Sequence, residues 1–463
     1  MRVVCRALLC SLTPEQVLLR LDARARRAGL PQPAALTGQW FGSRAVIAPS
    51  VGITACPGVN GAFAIPGELP EITDRSAAAP GAVGGGWFGY LSYDLTDPAR
   101  KRAPLAPAGW GWADHVLRMD AEGAWWFEAL VGPGDPEPDD LARELAETLA
   151  GDDDRPPRGW EPVTLGWPSS HGHIDAVRRC IEAIEHGEIF QANICTRLAG
   201  TFSGRPAELF AEGVRTLHPR RAAYLAGVWG AIASLSPELF LARHGDRVHS
   251  TPIKGTLPRR GPADDANAQR LRASEKDVAE NVMITDLVRN DLGRVSTVGT
   301  VGVPELLTVR EAPGVWHLES TVAGTLAPGM GNAELLHATF PPGSVTGAPK
   351  VRATELIGEL ERAPRGVYCG AVGLASPVAG MELNVAIRTL ELAANTAGGF
   401  DVALGAGGGI TASSDPELEW QECRHKAAPL ERLLGTPLTP GSGAMGHPDF
   451  APGNEAERDI ASL

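Results

Sequence analysis

The sequence has little or nothing of several features that define familiar protein classes. Only five of its 42 basic residues are lysines, and its seven cysteines include no CxxC pair. The formal net charge is −13, which argues against a general nucleic-acid surface because such surfaces are basic. No apolar run approaches the roughly 20 residues that a membrane span needs. We therefore expect a cytoplasmic protein with reduced thiols.

Common enzyme signatures are also missing. The sequence contains neither GxSxG nor HExxH, so it predicts neither a serine hydrolase of the elbow type nor a zinc peptidase. Residues 343–350 (GSVTGAPK) resemble a phosphate loop, but Pro349 precedes the lysine and breaks the pattern. A nucleotide site is not expected there.

What is present indicates a large globular α+β protein. Hydrophobic residues make up 43% of the chain and charged residues 21%, values typical of a folded domain. Two acidic, Pro/Gly-rich segments near residue 155 predict a boundary between a β-rich N-terminal subdomain (1–160) and a catalytic region (165–436), followed by a mobile tail (437–463). Strand and helix patterns follow no regular alternation, which favours antiparallel sheets. The pattern predicts one strand over residues 383–392.

Two residues in apolar strand patterns can carry chemistry. Lys254 lies in TPIKGT, and an amine shielded from water loses its proton readily, which suits a nucleophile or base. Glu238 lies in SLSPELFLA, where an apolar environment would raise its pKa and suit a general acid. The alternatives are an edge-strand lysine that keeps the sheet soluble and an outward-facing glutamate.

Spaced carboxylates on two predicted helices could hold a hard cation such as Mg²⁺. Asp277 and Glu280 share one helix face, and Glu419, Glu422 and Lys426 share another. Ordinary solvated helix charge is the commoner explanation of any one such pair when it is taken alone. Likewise, the glycine run 405–409 either offers backbone N–H groups to an anion or forms a simple turn.

Nine segments, taken together and in order, resemble one family. They span about residues 187–427 and read GEIFQANICTRL, SPELFL, TPIKGT, EKDVAENVMITDLVRNDLGRV, HLESTVAGTL, PPGSVTGAPKVRA, CGAVG, NVAIRTL and GAGGGITASSDPELEWQECRHKA. The chain is therefore similar to the chorismate-utilising enzymes. The resemblance implies two antiparallel β-sheets packed as a sandwich, with helices outside and the active site in a cleft.

Within that family, Lys254 resembles the branch that aminates chorismate to 4-amino-4-deoxychorismate. In members that add water to the ring, a lysine lies near the position that Gln191 occupies in this sequence. The alternatives are anthranilate synthase component I, which releases pyruvate, and a non-catalytic chorismate-binding subunit.

The resemblance also assigns roles. It implies a covalent adduct on Lys254, proton donation by Glu238, and Mg²⁺ held by Glu280 and Glu422 with support from Asp277 and Glu419. It implies that the substrate is bound by residues on several elements, namely Gln191, His317, Thr346, Tyr368, Arg388, Gly407, Gly409 and Lys426.

Partners follow from the same resemblance. None of the seven cysteines lies in a glutamine amidotransferase motif, so ammonia is expected from a separate glutaminase subunit. A separate aminodeoxychorismate lyase would then form 4-aminobenzoate for folate synthesis. The tryptophan-sensing LLES stretch of feedback-regulated relatives is not evident. Neither nucleic acid nor membrane is an expected partner.

Overall fold

The fold is given by a computed structural model, which describes residues 1–56, 58–97, 102–151, 159–259 and 261–435. The strands are β1 (Arg2–Leu8), β2 (Ala34–Trp40), β3 (Ser43–Ala48), β4 (Thr54–Ala55), β5 (Asp74–Ala77), β6 (Gly86–Leu91), β7 (Ala108–Ala113), β8 (His115–Met119), β9 (Trp125–Val131), β10 (Gln191–Phe202), β11 (Arg221–Gly227), β12 (Gly230–Ser236), β13 (Leu239–His244), β14 (Arg247–Thr251), β15 (Ile253–Pro258), β16 (Gly302–Ala312), β17 (Val315–Thr325), β18 (Gly347–Ala348), β19 (Ala371–Ser376), β20 (Gly380–Val385), β21 (Thr389–Ala394) and β22 (Phe400–Ile410). The α-helices are α1 (Pro14–Ala28), α2 (Gly58–Ala64), α3 (Asp139–Ala150), α4 (Ser170–Glu185), α5 (Pro206–Leu217), α6 (Ala266–Ala273), α7 (Glu275–Gly293), α8 (Asn332–Thr339), α9 (Lys350–Leu360) and α10 (Pro416–Gly435).

Two large sheets dominate the architecture. The first has twelve strands in the order β18-β10-β22-β21-β12-β11-β2-β3-β8-β9-β1-β5. The second runs β15-β17-β14-β13-β20-β19-β6-β7-β4, with β16 paired to β17. The described ladders are antiparallel apart from the parallel pair β1–β5. The α+β class with antiparallel sheets is confirmed.

Strands from early and late in the chain extend the same two sheets. Strand β2 pairs with β11 in the first sheet, and β6 pairs with β19 in the second. One apolar core accordingly joins Leu36 and Val46 to Leu225 and Leu374. The predicted division near residue 155 adjoins residues 152–158, which lie outside the described ranges, as does the predicted tail.

Helices cover the sheets and position the charged residues of the site. Helix α7 packs on β17, and α10 packs on β22. Ser274 caps the start of α7, since its hydroxyl accepts the backbone N–H of Asp277 at 3.2 Å. No helix in the described ranges is long and apolar enough to cross a membrane.

The prediction of one strand over residues 383–392 is wrong. Strand β20 ends at Val385 in the second sheet, and β21 begins at Thr389 in the first. The chain crosses between the sheets here, and Arg388 takes a left-handed conformation with φ +50°. A second crossing between β12 and β13 carries Glu238, which therefore lies in a break between strands rather than inside one.

Candidate active site

Lys254 lies on β15, an edge strand of the second sheet. The register of β15 against β17 shifts between Ile253 and Thr256, and such a bulge redirects the side chains around it. Gly255 permits the shift because its φ of +89° is a conformation that suits glycine. A side chain there would also be crowded, because its Cβ would lie 3.0 Å from the Asp277 side chain. The amine of Lys254 is thereby brought close to the glycine run, and a Cβ on Gly409 would lie 3.2 Å from its Nζ.

The Lys254 amine has no hydrogen-bond or ion-pair partner among the described residues. Burial lowers the pKa of this amine, although the carboxylates of Glu280 and Glu238 oppose the shift. The lowered pKa and the lack of a partner both suit a nucleophile, because a neutral amine without a partner has its lone pair available.

Glu238 faces the same region from the crossing between β12 and β13. Its side chain is buried, with 3% of the residue exposed, and its Oε1 accepts the Ile253 N–H at 3.5 Å. Burial raises the pKa of Glu238 to about 7, against the opposing effects of a hydrogen bond from Ser344 and the charge of Lys254. A carboxyl with this pKa can donate a proton near neutral pH.

The glycine run 405–409 lies inside β22 rather than in a turn. Cys195 faces Gly407 across the β10–β22 ladder, yet the Cys195 N–H is donated to Glu361 at 2.7 Å. This pair is therefore a non-hydrogen-bonded pair, and the N–H and C=O of Gly407 point away from β10. The Lys426 amine binds that carbonyl at 2.8 Å.

Backbone N–H groups of β22 are consequently open on one side. The N–H groups of Gly407 and Gly409 share this direction because directions alternate along a strand. Strand β21 pairs with β22 only as far as Leu404, so the edge beyond that residue is available to an anion. Glycine is needed at 409, since a Cβ there would lie 2.3 Å from Nε2 of Gln191.

Arg388 and His317 are buried near one another and bring one positive charge to the site. The Arg388 guanidinium has no hydrogen-bond or ion-pair partner among the described residues, and burial lowers its pKa. His317 is 2% exposed, and its Nδ1 lies 2.9 Å from the Thr256 hydroxyl. Burial, with Arg388 and Arg220 nearby, lowers the pKa of His317 to about 3, so this imidazole is neutral at pH 7.

Four carboxylates on α7 and α10 line the remaining side. Glu422 pairs with Lys426 at 2.6 Å, and Lys276 lies 3.7 Å from Glu419. Oε2 of Glu419 is buried without a hydrogen-bond partner, and burial raises the pKa of both Glu280 and Glu419. No three acidic, histidine or cysteine side chains in the described ranges are close enough to form a complete metal centre.

Other predicted residues lie in or beneath the cleft. Gln191 is 1% exposed, and its Oε1 is unpaired. The Thr346 hydroxyl donates to carbonyls of its own loop at 3.1 and 3.2 Å. Tyr368 is buried under β22, where its ring would collide with a Cβ on Gly405 and its hydroxyl lies 4.0 Å from Sγ of Cys195.

The structure adds residues that sequence reasoning missed. Ser344 acts on Glu238, and Thr256 holds His317. Lys276 bridges α7 to Glu419. Each lies within or beside a quoted motif, but only the tertiary contacts give it a role.

Comparison with known proteins shows what the chain is similar to. Residues 64–432 match the family model described as chorismate binding enzyme. Aminodeoxychorismate synthase component 1 of Escherichia coli K12 is 37% identical over 387 residues, covering 79% of this chain and 81% of that protein. Anthranilate synthase component 1 of Thermus thermophilus is 36% identical over 365 residues, covering 76% of this chain and 77% of that protein.

A solved structure shows the same fold. The menaquinone-specific isochorismate synthase of Escherichia coli superposes with a TM-score of 0.71 at 20% identity, covering 94% of each chain. The solved structure therefore supports the fold, and the match to the family model over residues 64–432 spans most of the chain. The chain belongs to the family of chorismate binding enzymes.

Proposed function

We propose that the protein is an aminodeoxychorismate synthase component I, which converts chorismate and ammonia to 4-amino-4-deoxychorismate and water. The observation that carries this proposal is Lys254: an unpaired amine with a lowered pKa, aimed at Gln191 and the glycine run. A relative named aminodeoxychorismate synthase component 1 is 37% identical to this chain over most of both proteins.

The residues support a two-step substitution. Lys254 Nζ forms a bond to ring C2, both ring double bonds shift by one position, and the C4–O bond breaks. Glu238 gives its proton to the departing hydroxyl, which leaves as water. Ammonia then adds at C4, both double bonds return to their first positions, and the C2–N bond to Lys254 breaks. The proton lost by the new amine restores Glu238.

Binding of a dianion by an acidic protein requires local positive charge. Arg388, which has no partner of its own among the described residues, can hold one carboxylate through two parallel hydrogen bonds. The open N–H groups of Gly407 and Gly409 can hold the other, with Lys426 beside them. Neutral His317 can border the ring without adding charge.

We further propose that Mg²⁺ assists substrate binding, held by Glu280 and Glu422 with Asp277 and Glu419 behind them. The buried, unpaired Oε2 of Glu419 and the closeness of the Glu280 and Glu422 carboxylates fit a hard cation that keeps waters and substrate oxygens. The ion would neutralise the ring carboxylate. We propose that a glutaminase subunit supplies ammonia and that a separate lyase consumes the product.

Incubation with chorismate, Mg²⁺ and ammonium, followed by mass spectrometry, tests the proposal. We expect 4-amino-4-deoxychorismate in the absence of any lyase. Direct appearance of anthranilate and pyruvate would instead identify an anthranilate synthase, the activity named for the Thermus relative. Unchanged chorismate would indicate a binding subunit.

A further inference from the structure

A small cavity lies beside Glu238. It has a free volume of about 10 Å³ and is lined by Glu238, Ser250, Asp291 and Ser344 among others. This volume accommodates about one water molecule. Glu238 is itself only 3% exposed, so the protonation of its carboxyl is governed by its neighbours.

The loop that carries Ser344 is held by two buried cations. Lys350 donates to the carbonyls of Thr339 and Pro341 at 2.8 and 2.9 Å and pairs with Asp291 at 2.5 Å. These bonds fix the first half of the loop against α7.

Arg365 fixes the second half. Its guanidinium donates to the Val345 carbonyl at 2.8 Å and to the Asn193 carbonyl at 2.6 Å, and it pairs with Glu361 at 2.7 Å. Arg365 is 4% exposed. Ser344 lies between the two anchored halves and is 7% exposed, so its backbone is held in place by buried charge-assisted bonds on both sides.

We propose that Ser344 is a positioning residue for Glu238: its hydroxyl donates to the carboxyl, orients it toward the cleft and favours its ionised form. The cavity shared by the two side chains and the doubly anchored loop carry this inference. Hydrogen bonding from Ser344 has a lowering effect on the pKa of Glu238. Only the effect of Ser344 on catalysis rests on the proposed function; its effect on the Glu238 carboxyl does not.

Several other groups face Glu238, and each must be held constant in a test. Lys254 on β15 favours the ionised form, and Glu319 on β17 disfavours it. Asp291 on α7 lines the same cavity with Ser250 on β14. The Ile253 N–H donates to Oε1. Ser344→Ala leaves all of these in place.

The test compares Ser344→Ala with Ser344→Thr, which keeps the hydroxyl, and with Ser250→Ala, a matched serine of the same cavity. Protein labelled with ¹³C-glutamate is titrated by NMR, and the Glu238 signal is assigned from its loss in Glu238→Gln. Loss of a donor to an ionised carboxylate raises its pKa, so the midpoint should rise by about one pH unit in Ser344→Ala only.

Amination kinetics provide the second measurement. Glu238 acts when protonated, so activity is lost as pH rises through its pKa. This alkaline limb should move upward by the same amount in Ser344→Ala and return in Ser344→Thr. A slower Ser344→Ala enzyme with an unmoved midpoint and limb would show a merely structural role and overturn the proposal. The NMR midpoint is measured without substrate, so its result does not depend on whether the protein aminates chorismate.

Discussion

Burial lowers the pKa of both Lys254 and Lys350. The two regions differ in the partners that they offer to the lysine amine. The Lys350 amine has three close partners, Asp291 and two loop carbonyls. The Lys254 amine has none among the described residues. The difference teaches that burial alone does not make a nucleophile. An amine that is buried and bonded is a structural anchor, whereas one that is buried and unbonded is available to react.

The surroundings explain why the two lysines differ. Lys350 begins α9 and reaches into a closed loop, where the carbonyls of residues 339 and 341 must be satisfied. Lys254 lies at a bulge on an edge strand and points toward a strand of glycines that offers no side-chain acceptor. Carboxylates of Glu280 and Glu422 act on it through charge rather than through direct bonds.

The largest effect is expected from Lys254→Ala. Turnover should fall by at least about 10³-fold, because the two-step route needs the covalent amine. Lys254→Arg should be equally inactive, since a guanidinium keeps the charge but not the free lone pair. Chorismate amination measures the loss, and the unfolding midpoint checks that both variants fold. Undiminished turnover in either variant would remove Lys254 as the nucleophile.

A smaller and different effect is expected from Lys350→Met. The free energy of unfolding should fall by about 3–5 kcal/mol, because Asp291 is left buried and without its cation. Urea denaturation measures the change. Lys350→Met combined with Asp291→Asn should recover part of the loss, since no unpaired charge then remains. Equal stability of wild type and Lys350→Met would contradict the anchoring role assigned to Lys350.

The smallest effect is a difference in reactivity with pH. Only the neutral amine is acylated, so a lysine with a lowered pKa reacts at lower pH than one at the ordinary value of 10.5. Trace acetylation followed by peptide mass spectrometry should label Lys254 faster at pH 7 than Lys276, whose amine lies 3.7 Å from the Glu419 carboxylate. Lys350 should be protected by its three partners. Equal labelling of Lys254 and Lys350 would contradict the role assigned to those partners.

The sequence predicts the class of fold and much of the site, but not the crossings between sheets. The resemblance of the quoted motifs to one family points to Lys254, Gln191 and the glycine run, whereas the residue pattern alone leaves each of them open. The pattern also predicts a continuous strand through Arg388, because residues 386–388 contain neither glycine nor proline and only the packing of two sheets forces the break. The crossing at Glu238 does contain a proline, Pro237, but the burial of Glu238 depends on strands far away in sequence. The role of Ser344 could not be predicted because it depends on the path of one loop.

The shared sheets also constrain how the protein is made. Strand β2 pairs with β11, and β22 lies between β10 and β21 near the far end of the chain. A growing polypeptide must also extend to β19, beyond the middle of this sequence, before β6 finds that neighbour, and such long-range pairing is slow. The glycine strand β22 emerges from the ribosome after the other strands that the structure describes. The cleft therefore cannot be complete before β22 is made, and a chain truncated before β22 would leave edges of β10 and β21 unpaired.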